Sequence, residues 1–456
     1  MRQLSSFEEY FYQRRNLNLH SCFYLAITLN ESPSRELLSH VITKVISRYP
    51  QLYSNVFLQD EKPIVRPIES FIYFTDVVEY IQEEQLTEEL INQIFRTVKF
   101  KYHDDVPIWK ILALNGGRCL VLCLDHVFFD GLSGVKFLEN MMEELNTIEC
   151  FSNYQDIVYK CEGKELVPKH PYSNWPIPWK WKMIRLLAPL FVKLDSYIGP
   201  WVANFTHDSS MLNFNRYEFP KGIFRDVVKR DEIRNDNCQL TFSIPAENLE
   251  QLLVKCKKHN VSLTSILISV FIASLKEVDP SMIHGSQVTV DVPVNTRNLI
   301  KSTMNIDAKE LEMGNFIMAG KVTYDITEDT DLLHTSKKIQ DQIVKQKDDV
   351  DSIHTSKLLD VVNVEDYIAS MANKKFPGST FEMTNLGFQK FSSLESEKYF
   401  VVGAKFNEPQ LVASIFTCAV ISTPLGGLNC SVSYPKDIST ELNVCWAKLK
   451  KILDSF

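Results

Sequence analysis

The sharpest chemical feature of the chain is Leu124-Asp125-His126-Val127-Phe128-Phe129-Asp130-Gly131, a histidine followed by an aspartate and a glycine four and five positions on. Histidine is the side chain best suited to take a proton near neutral pH. It follows residues 118–124, RCLVLCL, a run too short and too apolar for a surface helix. That run reads as a strand buried on both faces. Residues 132–145 then place Val135, Leu138, Met142 and Leu145 along one side of a helix. A strand exit holds an imidazole rigidly while leaving it open to a cavity. Asp130 could orient that imidazole or brace the turn, and Gly131 permits a tight turn and leaves space for a substrate. The segment alone equally fits a hydrogen-bonded histidine in an ordinary turn. Ser133 is no nucleophile, because Gly131-Leu132-Ser133-Gly134 is one residue short of the GxSxG elbow.

These residues sit in a chain of 456, long enough for two domains. Hydrophobic residues are 45% and charged residues 23%, a globular balance. A net charge of −8 disfavours general nucleic-acid binding. Ten scattered cysteines include no CxxC pair, so reduced, mostly buried thiols are expected, with neither zinc nor a disulfide framework. No apolar signal core opens the chain, and no stretch of ~20 uncharged apolar residues offers a spanning helix. A cytoplasmic monomer is the expectation.

The elements alternate in two halves. Residues 21–29 are strand-like, and 34–49 form a helical stripe with Ser34 as cap and Pro50 behind it. Residues 82–100 are a second amphipathic candidate. In the second half, 239–244 reads as strand, 246–259 as helix and 262–275 as a buried helix capped by Ser262. A strand at 288–292 ends at Pro293, 331–347 is a charged helix, 395–419 and 427–434 are late strands, and 440–456 is a terminal helix. Residues 171–202 hold Trp175, Trp179, Trp181 and Trp201, and their prolines argue against one continuous helix. Tryptophan mixed with Lys180, Lys182, Arg185 and Lys193 is also the composition of a membrane-interface segment. These aromatics either pack under a domain crossover near 171–215 or meet an endoplasmic-reticulum or lipid-droplet surface. His103, His170, His207 and His334 lie in loop-like or polar settings and read as solvated.

Further segments tie His126 to a known pattern. Pro107-Ile108-Trp109-Lys110 precedes its strand; Val292-Pro293-Val294-Asn295-Thr296-Arg297, Met313-Gly314-Asn315-Phe316 and Met383-Thr384-Asn385-Leu386-Gly387 follow in the second half. Together with HVFFDG and the opening SSFEEYFYQRRNLN, they resemble, in order and over nearly the full length, the CoA-dependent acyltransferases with an HxxxDG signature. Within these the chain is most similar to the fungal alcohol acetyltransferase family. No DFGWG is present, which disfavours the plant branch.

The resemblance implies an α/β fold of two domains, 1–200 and 216–456, with mixed sheets, flanking helices and the active site in a tunnel between them. It implies acetyl-CoA as co-substrate and His126 as the base that deprotonates an acceptor attacking the thioester. It assigns Asp130 to the catalytic pair, facing away from the reacting centre toward Arg297, with Gly131 supporting the turn. Thr384, where the family usually has serine, and Asn385 become tunnel-lining or oxyanion-donor residues. Gly314-Asn315 reads as a packing or cofactor-side element. An alcohol is the expected acceptor. A long-chain or xenobiotic amine in detoxification, thioester hydrolysis, and a noncatalytic module on the same fold are the alternatives. The same base serves both acceptors.

Overall fold

Six apolar residues in a row, Cys119–Leu124, form the middle strand of a five-stranded sheet, and every one is buried. The computed structural model describes residues 1–148, 153–161, 166–206, 210–217, 237–328, 331–347, 350–372, 377–391, 394–410 and 412–455. Cys150 and His207 lie outside these residues, as do the side chains of Tyr197 and Trp201. Strand order in this first sheet is Val401–Asn407, Phe23–Leu29, Cys119–Leu124, Trp109–Leu114 and Val78–Tyr80. Leu124 is registered between Phe23 and Trp109, so the chain leaves the sheet from its centre just before His126.

The second sheet runs Asn237–Ile244, Gly427–Pro435, Ser414–Thr423, Ser379–Phe388, Gln287–Asn295 and Ile317–Asp325. Its core helix, Leu263–Leu275, is capped by Ser262 and apolar on nearly all sides, so it lies buried among the strands and helices of this half. The two halves exchange material. Val401–Asn407 comes from the late chain yet completes the first sheet against Phe23–Leu29, and Leu17 and Leu19 join the second core. A boundary at 200–216 therefore separates most, not all, of the two cores.

Three expected elements differ. The strand expected to stop at Pro293 runs on to Asn295, because Pro293 pairs only on one side, with Ala319, where its missing N–H is tolerated. The single late strand breaks into Val401–Asn407 and Ser414–Thr423. Trp179–Thr206 is one helix despite Pro189 and Pro200. Pro189 is exposed, and on a surface helix water can take the carbonyl that proline leaves without a partner. Nine cysteines are free, seven of them buried, among the described residues.

Candidate active site

His126 is buried, and its Nδ1 lies 3.0 Å from the Phe129 carbonyl oxygen. A carbonyl only accepts, so Nδ1 carries a proton and Nε2 is the ring nitrogen facing Glu408. Phe11 and Phe23 hold the ring, with centroids 5.3 and 4.3 Å away. The residues before and after it fix its place. Asp125 accepts from the Val127 N–H at 2.9 Å, and Asn315 Nδ2 donates to the His126 carbonyl at 2.6 Å. His126 opens onto a cavity of ≈ 570 Å³ lined from both halves of the chain, by Phe7, Phe11 and His20 on one side and Asp291, Glu382 and Glu408 on the other.

Asp130 does not touch His126. It is 1% exposed and caps the helix Gly131–Thr147, accepting from the Ser133 N–H at 2.8 Å. Arg297 grips both its oxygens, at 2.7 and 2.9 Å, and the Phe316 N–H adds a bond at 2.9 Å. Burial pushes the Asp130 carboxyl up, but Arg297 and these N–H donors outweigh it and hold the group below its ordinary range. As the resemblance implied, Asp130 faces away from the reacting centre and pairs with Arg297. It is a brace, because every donor it meets belongs to the turn or to the second half. Arg297 also donates to the Leu311 and Gly314 carbonyls, at 2.8 and 3.2 Å. Ser133 Oγ completes the clasp, donating to the Gly314 carbonyl at 2.7 Å.

Gly131 sits tight against a half-buried leucine side chain. A Cβ there would stand 2.5 Å from Leu386 Cδ2. The Met383–Gly387 segment thus packs across the start of the catalytic helix. Thr384 and Asn385 themselves are not among the residues lining the His126 cavity. Asn385 Nδ2 donates to Thr264 Oγ1 at 3.1 Å, and its Oδ1 accepts from the Gly387 N–H at 2.7 Å. The amide nitrogen expected to meet an oxyanion thus donates to the core helix, and the amide oxygen holds the turn. His170, expected in solvent, is buried with Nε2 2.7 Å from the Asn315 carbonyl, joining the same clamp.

Sequence reading missed the groups nearest the reactive nitrogen. Glu408 Oε2 lies 3.5 Å from His126 Nε2, and the His20 ring is 5.1 Å from the His126 ring. His20 Nδ1 donates to the Ser21 carbonyl at 3.1 Å, which leaves Nε2 as a buried acceptor with no hydrogen-bond partner. Burial, then His126 and Arg14, push His20 well below its ordinary pKa, so it stays neutral. Glu382 and Glu408 share one proton. Burial and the Glu408 charge push Glu382 well up, while burial of Glu408 is outweighed by His126 and Glu382, which hold it down and ionised. Among the described residues, the ligand atoms of His20, His126 and Glu408 lie within 4.8 Å of one another and could meet a cation. Binding it would occupy the nitrogen that base chemistry needs.

A cavity lined from both halves of the chain, with an imidazole at a strand exit and an Asp–Arg clasp behind it, defines a chloramphenicol acetyltransferase-like acyl-transfer architecture. The chain belongs to the alcohol acetyltransferase family, whose profile matches residues 3–456. It is 32% identical to the N-acetyltransferase SLI1 of Saccharomyces cerevisiae, covering 100% of this chain and 99% of that one. An uncharacterised Schizosaccharomyces pombe protein is 24% identical over 96% of this chain and 93% of its own length. Among solved structures, the trichothecene 15-O-acetyltransferase TRI3 of Fusarium sporotrichioides superposes with a TM-score of 0.66 at 10% identity, over 99% and 95% of the two chains. The first condensation domain of the CDA synthetase does so at 0.60 and 10%, over 99% and 96%. At such identities the structures show a shared fold. The protein is an acyltransferase, with an acyl-CoA as the co-substrate its family implies.

Proposed function

We propose that the protein transfers acetyl from acetyl-CoA to the primary amine of an apolar acceptor, forming an amide. One observation carries the choice of amine: ligand atoms from His126, His20 and Glu408, one each, converge within 4.8 Å, and the buried His20 Nε2 has no hydrogen-bond partner. A primary ammonium brings three N–H donors and a positive charge, whereas a hydroxyl brings one donor and no charge. The His20 acceptor is costly to leave unmatched and Glu408 is held ionised, so the site suits the ammonium better. The aromatic wall of Phe7, Tyr10, Phe11 and Tyr367 suits an apolar chain behind the amine. The full-length similarity to a protein named an N-acetyltransferase supports the same reading.

The chemistry follows from the geometry. Glu408, held ionised, receives the ammonium. The ammonium gives its first proton to solvent water in the open cavity, which leaves the neutral amine for attack. As the amine nitrogen bonds to the thioester carbonyl carbon, His126 Nε2 takes the second. The C–S bond then breaks, CoA leaves as thiolate, and the proton on His126 can pass to it. No acyl-enzyme is formed. Both substrates are bound together, so much of the rate gain comes from positioning.

Ester formation is the second reading, favoured by the family's own description. The two are separated with a matched pair, dodecylamine and dodecanol, incubated with acetyl-CoA and followed by mass detection and thiol release. The amide should dominate, and its kcat/KM should rise more steeply with pH than that of any ester. Glu408→Gln should raise KM for the amine about 10-fold or more, the scale of a lost charged hydrogen bond, and leave the alcohol's KM nearly unchanged. Equal losses for both acceptors, or ester as the main product, would refute the amine reading.

A further inference from the structure

Trp179–Thr206 carries an apolar surface that stands exposed among the described residues. At 3.6 residues per turn, Trp179, Met183, Leu186, Leu187, Leu190 and Leu194 fall on one side. Trp179 is 78% exposed, Leu186 72%, Phe191 63% and Leu190 59%. The opposite side is docked. Ala188 is buried, Trp181 Nε1 donates to Asp351 at 2.9 Å, and Arg185 meets Asp360 at 3.3 Å. The stripe runs about 22 Å along the axis.

Its flanks carry charge of one sign. Lys182 borders the stripe on one side and Lys180 on the other, and both are exposed. From Trp179 to Leu194 there is no acidic residue, although the chain as a whole carries −8. Among the described residues, no single helix is long and apolar enough to cross a membrane. A lysine-edged apolar face that cannot span is the pattern of a helix lying in the plane of a bilayer, with its face ~5–10 Å deep and lysine amines reaching the headgroups.

We propose that this face seats the protein on an anionic phospholipid bilayer. A second copy of the chain is a poorer occupant, since stacking two such faces would oppose their lysines. Position adds a consequence. The docked side rests on the helix Asp351–Ser356, whose Ser352, Thr355 and Ser356 line the cavity of His126. The bilayer would lie beside a wall of the acceptor tunnel, where an apolar acceptor dissolved in lipid is concentrated. The docking stands whether that acceptor is an amine or an alcohol.

The test is flotation of the full chain with vesicles of phosphatidylcholine alone or with phosphatidylserine added. Wild type should float with the anionic vesicles and be partly released by salt. Each lysine near an anionic surface contributes roughly fivefold in partition, so Lys180→Gln/Lys182→Gln should bind about 25-fold more weakly. Leu186→Ser/Leu190→Ser should not float. Both variants should match wild type in thermal melting and in turnover of a water-soluble acceptor. The proposal is overturned if wild type stays with the soluble fraction or if the variants float as it does. It is equally overturned if light scattering shows a dimer that Leu186→Ser/Leu190→Ser dissociates, or if the protein coats neutral oil droplets but not anionic vesicles.

Discussion

Replacing Arg297 with alanine strands a buried carboxylate. Asp130 is 1% exposed and would lose two of its bonds, those of 2.7 and 2.9 Å, and the only cation that grips it. Breaking one side of a buried pair costs ~3–5 kcal/mol, because the other charge is left without compensation. For a chain of this length the unfolding entropy is about 1 kcal/mol/K if melting is cooperative, so Tm should fall by roughly 3–5 °C. The pH dependence should change sign. In wild type the Asp130 pKa is lowered, so its contribution is present above the unfolded pKa and is lost as pH falls through the folded one. In Arg297→Ala burial dominates, the folded pKa rises, and the variant should lose stability as pH climbs past the unfolded carboxyl value. Melting curves of wild type, Arg297→Ala, Asp130→Asn and the double variant across mildly acidic to neutral pH read both effects. The double variant should recover part of the loss, since no lone charge remains. A loss below ~1 kcal/mol, or an Arg297→Ala deficit that does not grow with pH, would show that the clasp is not the brace described.

Two further outcomes follow from the turn itself. His126→Ala should fold normally and lose ~10²–10⁴-fold in kcat, measured as CoA release with the acceptor saturating; retention of half the wild-type rate would remove it as base. Gly131→Ala places a Cβ 2.5 Å from Leu386 Cδ2, the rotatable end of a half-buried side chain, and should cost about 1 kcal/mol, the low end for overpacking. Gly131→Ala/Leu386→Ala should recover much of the melting temperature and activity, and failure to do so would mean the glycine is needed for something other than space.

How much of this was legible before the fold was known depended on whether the signal was local. The buried strand, the turn and the helix after His126 lie within one continuous stretch whose period and apolarity can be read directly. Asp130 and Arg297 came together through resemblance, since 167 positions separate them. The acceptor cluster had no such signal. His20 precedes a strand of the first sheet, Glu382 lies within a strand of the second, and Glu408 follows the break between two late strands. Only sheet topology places them beside His126. Reading residues 395–419 as one strand concealed the turn that carries Glu408. Pro189 misled for a different reason: a rule about missing hydrogen bonds weakens where water can replace them. His170 looked polar in its neighbours, yet a bond to the Asn315 carbonyl satisfies its ring nitrogen in the interior.

The late strand Val401–Asn407 has a consequence for synthesis. It closes the edge of Phe23–Leu29, from which it is separated by most of the chain. At ~5–20 residues per second, a ribosome needs roughly 20–70 s to make the intervening segment. Throughout that time the apolar strand Phe23–Leu29 has an open flank, the kind of edge that pairs with other chains. The catalytic half is thus the first to be translated and among the last to be finished, and a nascent chain halted before residue 401 is held in an aggregation-prone state that a holding chaperone would have to cover.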